Sequence, residues 1–179
     1  MKKRILTWLL AISMLGSLLT VPAGAAAVTK FSDVSDSYTA TAVESLRLMG
    51  VLDGYGDGTF RPDTVLNRAQ FCKMAAYAMD GSGELGRYST VTIFPDVKPS
   101  HWASAYINMA ARKGIISGFA DGKFKPGQTV TAGQAVTILM RGLGYKDEDM
   151  GGVWPQSYMA EAQTNGLLKS TGITSAYAG

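Results

Sequence analysis

The chain has 179 residues, 46% of them hydrophobic and 17% charged, with a formal charge of +3 and one cysteine, Cys72. Three of its 17 basic residues are Lys2, Lys3 and Arg4, and no acidic residue precedes Asp33, so a chain starting at Val28 carries 14 of each sign and is neutral. That balance excludes the dominant basic face of a nucleic-acid binder, and a lone cysteine excludes an internal disulfide.

The first predicted element is a secretory signal peptide over residues 1–27. The positive start is followed by an apolar stretch from Ile5 to Leu19 and then by small residues, with cleavage expected after Ala25 or Ala27. The apolar run is shorter than the roughly 20 residues of a membrane span. The mature chain is therefore expected to be exported, without a transmembrane span.

Beyond this leader the sequence repeats itself. Phe31-Ser-Asp33-Val34 returns as Phe94-Pro-Asp96-Val97, and Gly50, Gly54, Asp57, Gly58, Phe60, Pro62 and Gln70 all return 64 residues later. A one-residue gap places Tyr38 opposite Trp102. A third copy starts at Trp154, which matches Trp102 at a shift of 52, and it is incomplete where the sequence stops. The expected organisation is repeat one at 31–80, a linker at 81–93, repeat two at 94–145 and a partial repeat three at 146–179. Each copy reads as helix, loop, helix. In repeat two, Trp102, Tyr106, Met109 and Ala110 share one helical face, and Gly114 ends the helix. The second helix starts at Asn67 or Thr131, with Gln70 or Gln134 three residues on to complete a capping box. Phe71, Met74, Ala75 and Ala78, and likewise Ile138, Leu139 and Leu143, then form its apolar stripe. Val91–Ile93 is expected as a short strand or an extended linker. The fold class is mostly α, with successive helix pairs stacked because one pair cannot bury its own apolar face.

The loop Asp53-Gly-Tyr-Gly-Asp-Gly-Thr-Phe-Arg-Pro-Asp63 has the composition of a calcium loop but not its pattern. Such a loop needs oxygen ligands at positions one, three, five and twelve. Counted from Asp53, positions three and twelve are Tyr55 and Thr64; in the second copy positions one, three and twelve are Ser117, Phe119 and Gln128. What both copies keep is glycines, an Asp-Gly pair, a Phe, a basic residue and a Pro, which is turn chemistry. No metal or cofactor is expected.

The order of these pieces, with "FPDV" and "HWA" followed by "GIISGFADGKFKP" and a capping box, resembles the S-layer homology domain over essentially the whole mature chain. The resemblance implies a pseudo-threefold bundle of helix-loop-helix repeats. It also implies non-covalent attachment of an exported protein to the bacterial cell surface, at the cell wall. The ligand would be an anionic secondary cell-wall polysaccharide, often one carrying a pyruvate ketal, bound in grooves between repeats. The family's diagnostic stretch is Thr-Arg-Ala-Glu at the start of the second helix. Repeat one has Asn67-Arg68-Ala69-Gln70, whereas repeat two has Thr131-Ala132-Gly133-Gln134 and lacks the arginine. By resemblance, then, Arg68 is the cationic anchor, a guanidinium fork beside the free amides of a helix start.

Other family positions have two readings each. Asp33 and Asp96 either accept sugar hydroxyls or cap a helix. Trp102, its counterpart Tyr38 and the matching Trp154 either stack on a sugar face or belong to the core. Gly54 and Gly118 either let a polymer approach the backbone or serve the turn. An enzyme is not expected: His101 is the sole histidine and reads as a helix-start residue, Cys72 as core, and Asp147, Glu148 and Asp149 as a linker run without an apolar pocket. The alternatives are a structural, self-associating surface protein and the anchor part of a longer exported enzyme.

Overall fold

The computed structural model describes residues 30–80, 85–169 and 171–174. The expected signal peptide lies outside them. The described chain forms α1 (Ser37–Leu48), α2 (Arg68–Asp80), α3 (Ser104–Arg112), α4 (Ala132–Gly142) and α5 (Gln156–Thr164), with 3-10 turns at Leu85–Tyr88 and Asp147–Asp149. Among the described residues there is no strand; Val91–Ile93 is an irregular connection. The buried Asn108 holds it against α3, its side-chain amide donating to the carbonyls of Val91 at 2.6 Å and Tyr88 at 3.2 Å. None of these helices is long and apolar enough to cross a membrane.

The helices form where local chemistry starts and stops them. Asp36 caps α1 by accepting the Thr39 N–H at 2.9 Å. At α2 the capping box is reciprocal: Asn67 Oδ1 accepts the Gln70 N–H and Gln70 Oε1 accepts the Asn67 N–H, both at 2.9 Å. Gly50 and Gly114, with φ near +70°, close α1 and α3.

Packing runs across repeat boundaries. The second helix of each repeat lies against the first helix of the following one, α2 on α3 and α4 on α5, and α2 also meets α4. The central core joins Ala69, Cys72, Ala75 and Ala76 of α2 to Ile107, Met109 and Ala110 of α3, with Phe94, Phe124 and Ile138 around them. The expected stripe is out of phase here, since Ala78 is exposed and Phe71 and Met74 are only half-buried. A helix covered from two sides buries a wider face, and its small residues let both neighbours approach. Leu143, expected on the α4 stripe, is likewise 43% exposed. Burial pushes the Cys72 thiol up to about 12, so it is an inert core residue.

Candidate functional site

The Asp-Gly loop is built the same way in both repeats. Asp33 accepts the N–H groups of Phe60 at 2.8 Å and Arg61 at 2.6 Å; Asp96 accepts those of Phe124 at 2.9 Å and Lys125 at 2.7 Å. The amide of Phe60 is the main cause holding the Asp33 carboxyl below its ordinary value. At Asp96 burial pulls the other way, and the Phe124 and Lys125 amides outweigh it. These two aspartates therefore have a task that neither sequence reading gave them. They latch the loop, and the cap of α1 falls to Asp36.

The latch fixes a backbone that resists its own conformation. Arg61 and Lys125, at equivalent positions, have φ of +60° and +58°, where side-chain-bearing residues are uncommon. Inside the loop Asp57 accepts from the Thr59 hydroxyl at 2.6 Å and the Thr59 amide at 3.0 Å, and pairs with Arg61 at 2.7 Å, which holds it at about 2. These carboxylates are thus occupied by turn hydrogen bonds. Gly54 and Gly118 serve the same unit: a Cβ at Gly54 would stand 2.0 Å from the Phe31 ring, and one at Gly118 would stand 2.7 Å from the Phe94 ring. Each of these Phe rings also tilts against the loop Phe, at 5.7 Å for Phe31–Phe60 and 5.5 Å for Phe94–Phe124.

Arg68 belongs to repeat one in sequence but to repeat two in space. It is 5% exposed. Its Nε donates to the Phe124 carbonyl at 2.8 Å and its Nη1 to Gln134 Oε1 at 3.0 Å, while the guanidinium lies 4.5 Å from the Phe119 ring centre and 4.6 Å from that of Phe124. Burial pushes it below the ordinary arginine value, yet it stays a cation at any physiological pH. Among the described residues no carboxylate forms an ion pair with it, although Asp96 is near enough to favour the charged form. The expectation that it stands beside free helix amides is corrected: the N–H groups of Arg68 and Ala69 donate to Gln128 and Pro126 carbonyls at 2.8 and 3.0 Å. Gln134, meanwhile, turns its side-chain oxygen to Arg68, and the second capping box keeps only the bond from the Gln134 N–H to Thr131 Oγ1, at 3.3 Å.

Arg68 lines a cavity of about 520 Å³ together with Ser117, Gly118 and Phe119 of the loop, Gln134, Thr137 and Arg141 of α4, and Asp147, Trp154 and Tyr158 from the chain after α4. Arg141 grips Asp147 through Nε at 2.9 Å and Nη2 at 2.8 Å, and the Tyr158 hydroxyl donates to the same carboxylate at 2.5 Å. The Tyr158 hydrogen bond is the largest cause holding Asp147 below its usual value, followed among the favourable ones by Arg141. Asp147 is therefore part of the cavity and not the bare linker residue expected. The Trp154 indole N–H donates to Thr137 Oγ1 at 3.0 Å and leaves the ring 52% exposed.

Of the residues singled out from the sequence, the cavity gathers Arg68, Gly118 and Trp154. Asp33, Asp96 and Gly54 serve the loops. Tyr38 and Trp102 stand elsewhere, 69% and 56% exposed, so the core reading fails for both. Trp102 precedes α3 and stacks on His101, whose Nδ1 accepts the Ala103 N–H at 3.1 Å. Sequence reasoning missed Arg141, Tyr158 and Thr137, and gave Gln134 only a capping role. One signal was present: aligning the copies sets Arg141 against Tyr77, a charge gained in repeat two.

The described chain is a stack of helical repeats with loops latched by aspartate and an aromatic-walled cavity lined by Arg68 and Arg141. The S-layer homology domain matches residues 30–72 and 93–136, and the chain belongs to that family. A cell surface protein of Thermoanaerobacter kivui is 37% identical over 87% of this chain and 20% of its own length. A cellulosome-anchoring protein of Acetivibrio thermocellus is 31% identical over 63% of this chain and 26% of its own. An uncharacterized cell wall amidase of Bacillus anthracis is 29% identical over 95% of this chain and 33% of its own. The chain thus spans between a fifth and a third of the length of these relatives. Family and relatives together indicate an exported chain at the bacterial cell surface.

Proposed function

We propose that the chain anchors exported protein by taking an acidic group of a cell-wall polysaccharide, such as a pyruvate ketal, into the cavity at the junction of repeats two and three. The observation that carries this is Arg68: a guanidinium 5% exposed whose hydrogen bonds go only to neutral oxygens, with Asp96 near enough to favour its charge but not paired with it. Burying a charge without an ion-pair partner in contact is costly, and an anionic ligand supplies that contact. The half-exposed Trp154, pinned by Thr137, offers the flat face on which a sugar ring stacks. We read the chain as a binding module and not an enzyme, because the polar groups in the cavity are engaged with one another. Ser117 pairs with Arg141, Thr137 with Trp154 and Gly133, and Tyr158 with Asp147.

Retention on purified cell-wall sacculi tests the reading. Arg68→Ala should reduce retention about tenfold or more, while Lys125→Ala, whose ammonium is paired with Asp121 at 3.1 Å, should change it little. Chemical removal of pyruvate from the polymer should mimic Arg68→Ala. Equal retention of the wild type and Arg68→Ala would sink it.

A further inference from the structure

The cavity holds two guanidiniums in opposite situations. Arg141 is neutralised within the chain: both Asp147 oxygens accept from it, at 2.9 and 2.8 Å, and its remaining Nη1 donates to Ser117 Oγ at 3.2 Å. Lys125, whose ammonium lies 4.4 Å from the Phe119 ring centre, makes a single ion pair with Asp121 at 3.1 Å. Arg68 has only neutral partners, the Phe124 carbonyl and the Gln134 amide oxygen. The charges lining the cavity are Arg68, Arg141 and Asp147, a sum of one positive charge; Asp96, which also favours the Arg68 cation, lies outside the lining with its oxygens taken by the Phe124 and Lys125 amides.

We propose that Asp147 sets the charge selectivity of this cavity. By holding Arg141 in an internal ion pair, it fits the site to one negative charge, a sugar carboxylate, and sets it against a doubly charged phosphate ester. This rests on the reading that the cavity takes an acidic glycan group. An anion entering the site gives up water, and its charge must be met there. The first negative charge is met by Arg68. A second finds Arg141 occupied and faces the Asp147 carboxylate itself, and such repulsion against the wrong ligand is how specificity is built. Asp147 acts through Arg141 and is a positioning residue. Tyr158, donating to the same carboxylate, keeps it aimed at Arg141.

The test follows the Trp154 indole N–H resonance by NMR while the chain is titrated with methyl glucuronide, which carries one negative charge, or glucose 6-phosphate, which carries two at pH 8, at constant ionic strength. The wild type should prefer the glucuronide. Asp147→Asn should shift the ratio of the two affinities about tenfold towards the phosphate, and Asp147→Glu should restore it. The double variant Arg141→Gln/Asp147→Asn removes the pair together and should keep the wild-type preference, which separates an effect of charge from a loss of structure. An unchanged ratio in Asp147→Asn, or a double variant that behaves like Asp147→Asn, overturns the proposal while leaving the cavity's role intact. Titrations of both sugars that Arg68→Ala does not alter would overturn the reading of the cavity, and this proposal with it.

Discussion

The Arg68 guanidinium and the side-chain oxygen of Gln134, 66 residues apart in sequence, are joined by a 3.0 Å hydrogen bond. Each comes from the capping motif of its own repeat, and their meeting makes a single site out of two copies. Repeat two has alanine at position 132, where the family motif has arginine, yet the cavity beside its loop holds a guanidinium, because the preceding repeat provides it.

That guanidinium should cost stability in the free protein while it provides binding. Arg68→Met keeps the stacking volume over Phe119 and Phe124 and removes a buried charge. Replacing buried charge by packed apolar volume is often neutral or stabilising. Urea unfolding of Arg68→Met should therefore give a stability within about 1 kcal/mol of wild type, alongside the loss of sacculus retention. Arg68→Lys should fail to restore retention, since an ammonium lacks the planar fork.

The aspartate latches predict an acid limb. Asp33, Asp57 and Asp96 all have carboxyls held below the ordinary value when folded, Asp57 at about 2. The unfolded chain then binds protons first, so the contribution of these groups is complete above about pH 4 and is lost as the pH falls towards about 2. Thermal melts across that window should show a fall in Tm that Asp33→Asn and Asp57→Asn flatten. Asp96→Asn, which weakens two backbone hydrogen bonds, should cost about 1 kcal/mol at neutral pH by urea unfolding.

Relieving the strained position after the loop Phe should stabilise the fold. Lys125→Gly removes the steric cost of φ at +58°, about 1 kcal/mol, against the smaller worth of an exposed pair with Asp121. A higher urea midpoint is expected for Lys125→Gly, and a lower one for Lys125→Val.

Gly54 and Gly56 sit two residues apart and should respond oppositely. At Gly54 the φ is +72° and an added Cβ would strike the Phe31 ring, whereas Gly56 has nothing within 4 Å. Gly54→Ala should cost about 2 kcal/mol or more by urea unfolding, and Gly56→Ala should fall within about 0.5 kcal/mol of wild type.

At the cavity rim, Trp154→Ala should weaken retention on sacculi about tenfold, and Trp102→Ala, outside the cavity, should not.

Much of this was legible in the sequence where the physics is local. The duplicated Phe, Asp, Gly and Asp-Gly positions did mark a common loop, and Asn67 with Gln70 did mark a helix start, because those bonds close within a few residues. What was hidden depends on neighbours. Periodicity tells which face of α2 is apolar but not that α3 and α4 both cover it, so Ala78 was placed inside and is exposed. Trp102 shares its spacing with core residues, but the chain enters α3 only at Ser104, which turns the indole outward. Asp147 read as linker because its partners, Arg141 and Tyr158, lie on separate helices. The loss of an arginine from repeat two carried no warning that repeat one fills its place.

Because α2 carries its arginine across the boundary at 81–93, the unit that binds is the junction and not the repeat. A proteolytic nick in that connection would leave Arg68 on one chain and the rest of the pocket's lining on another. Genetic exchange of whole copies would do the same, so such a module can be traded only in runs that keep adjacent copies together.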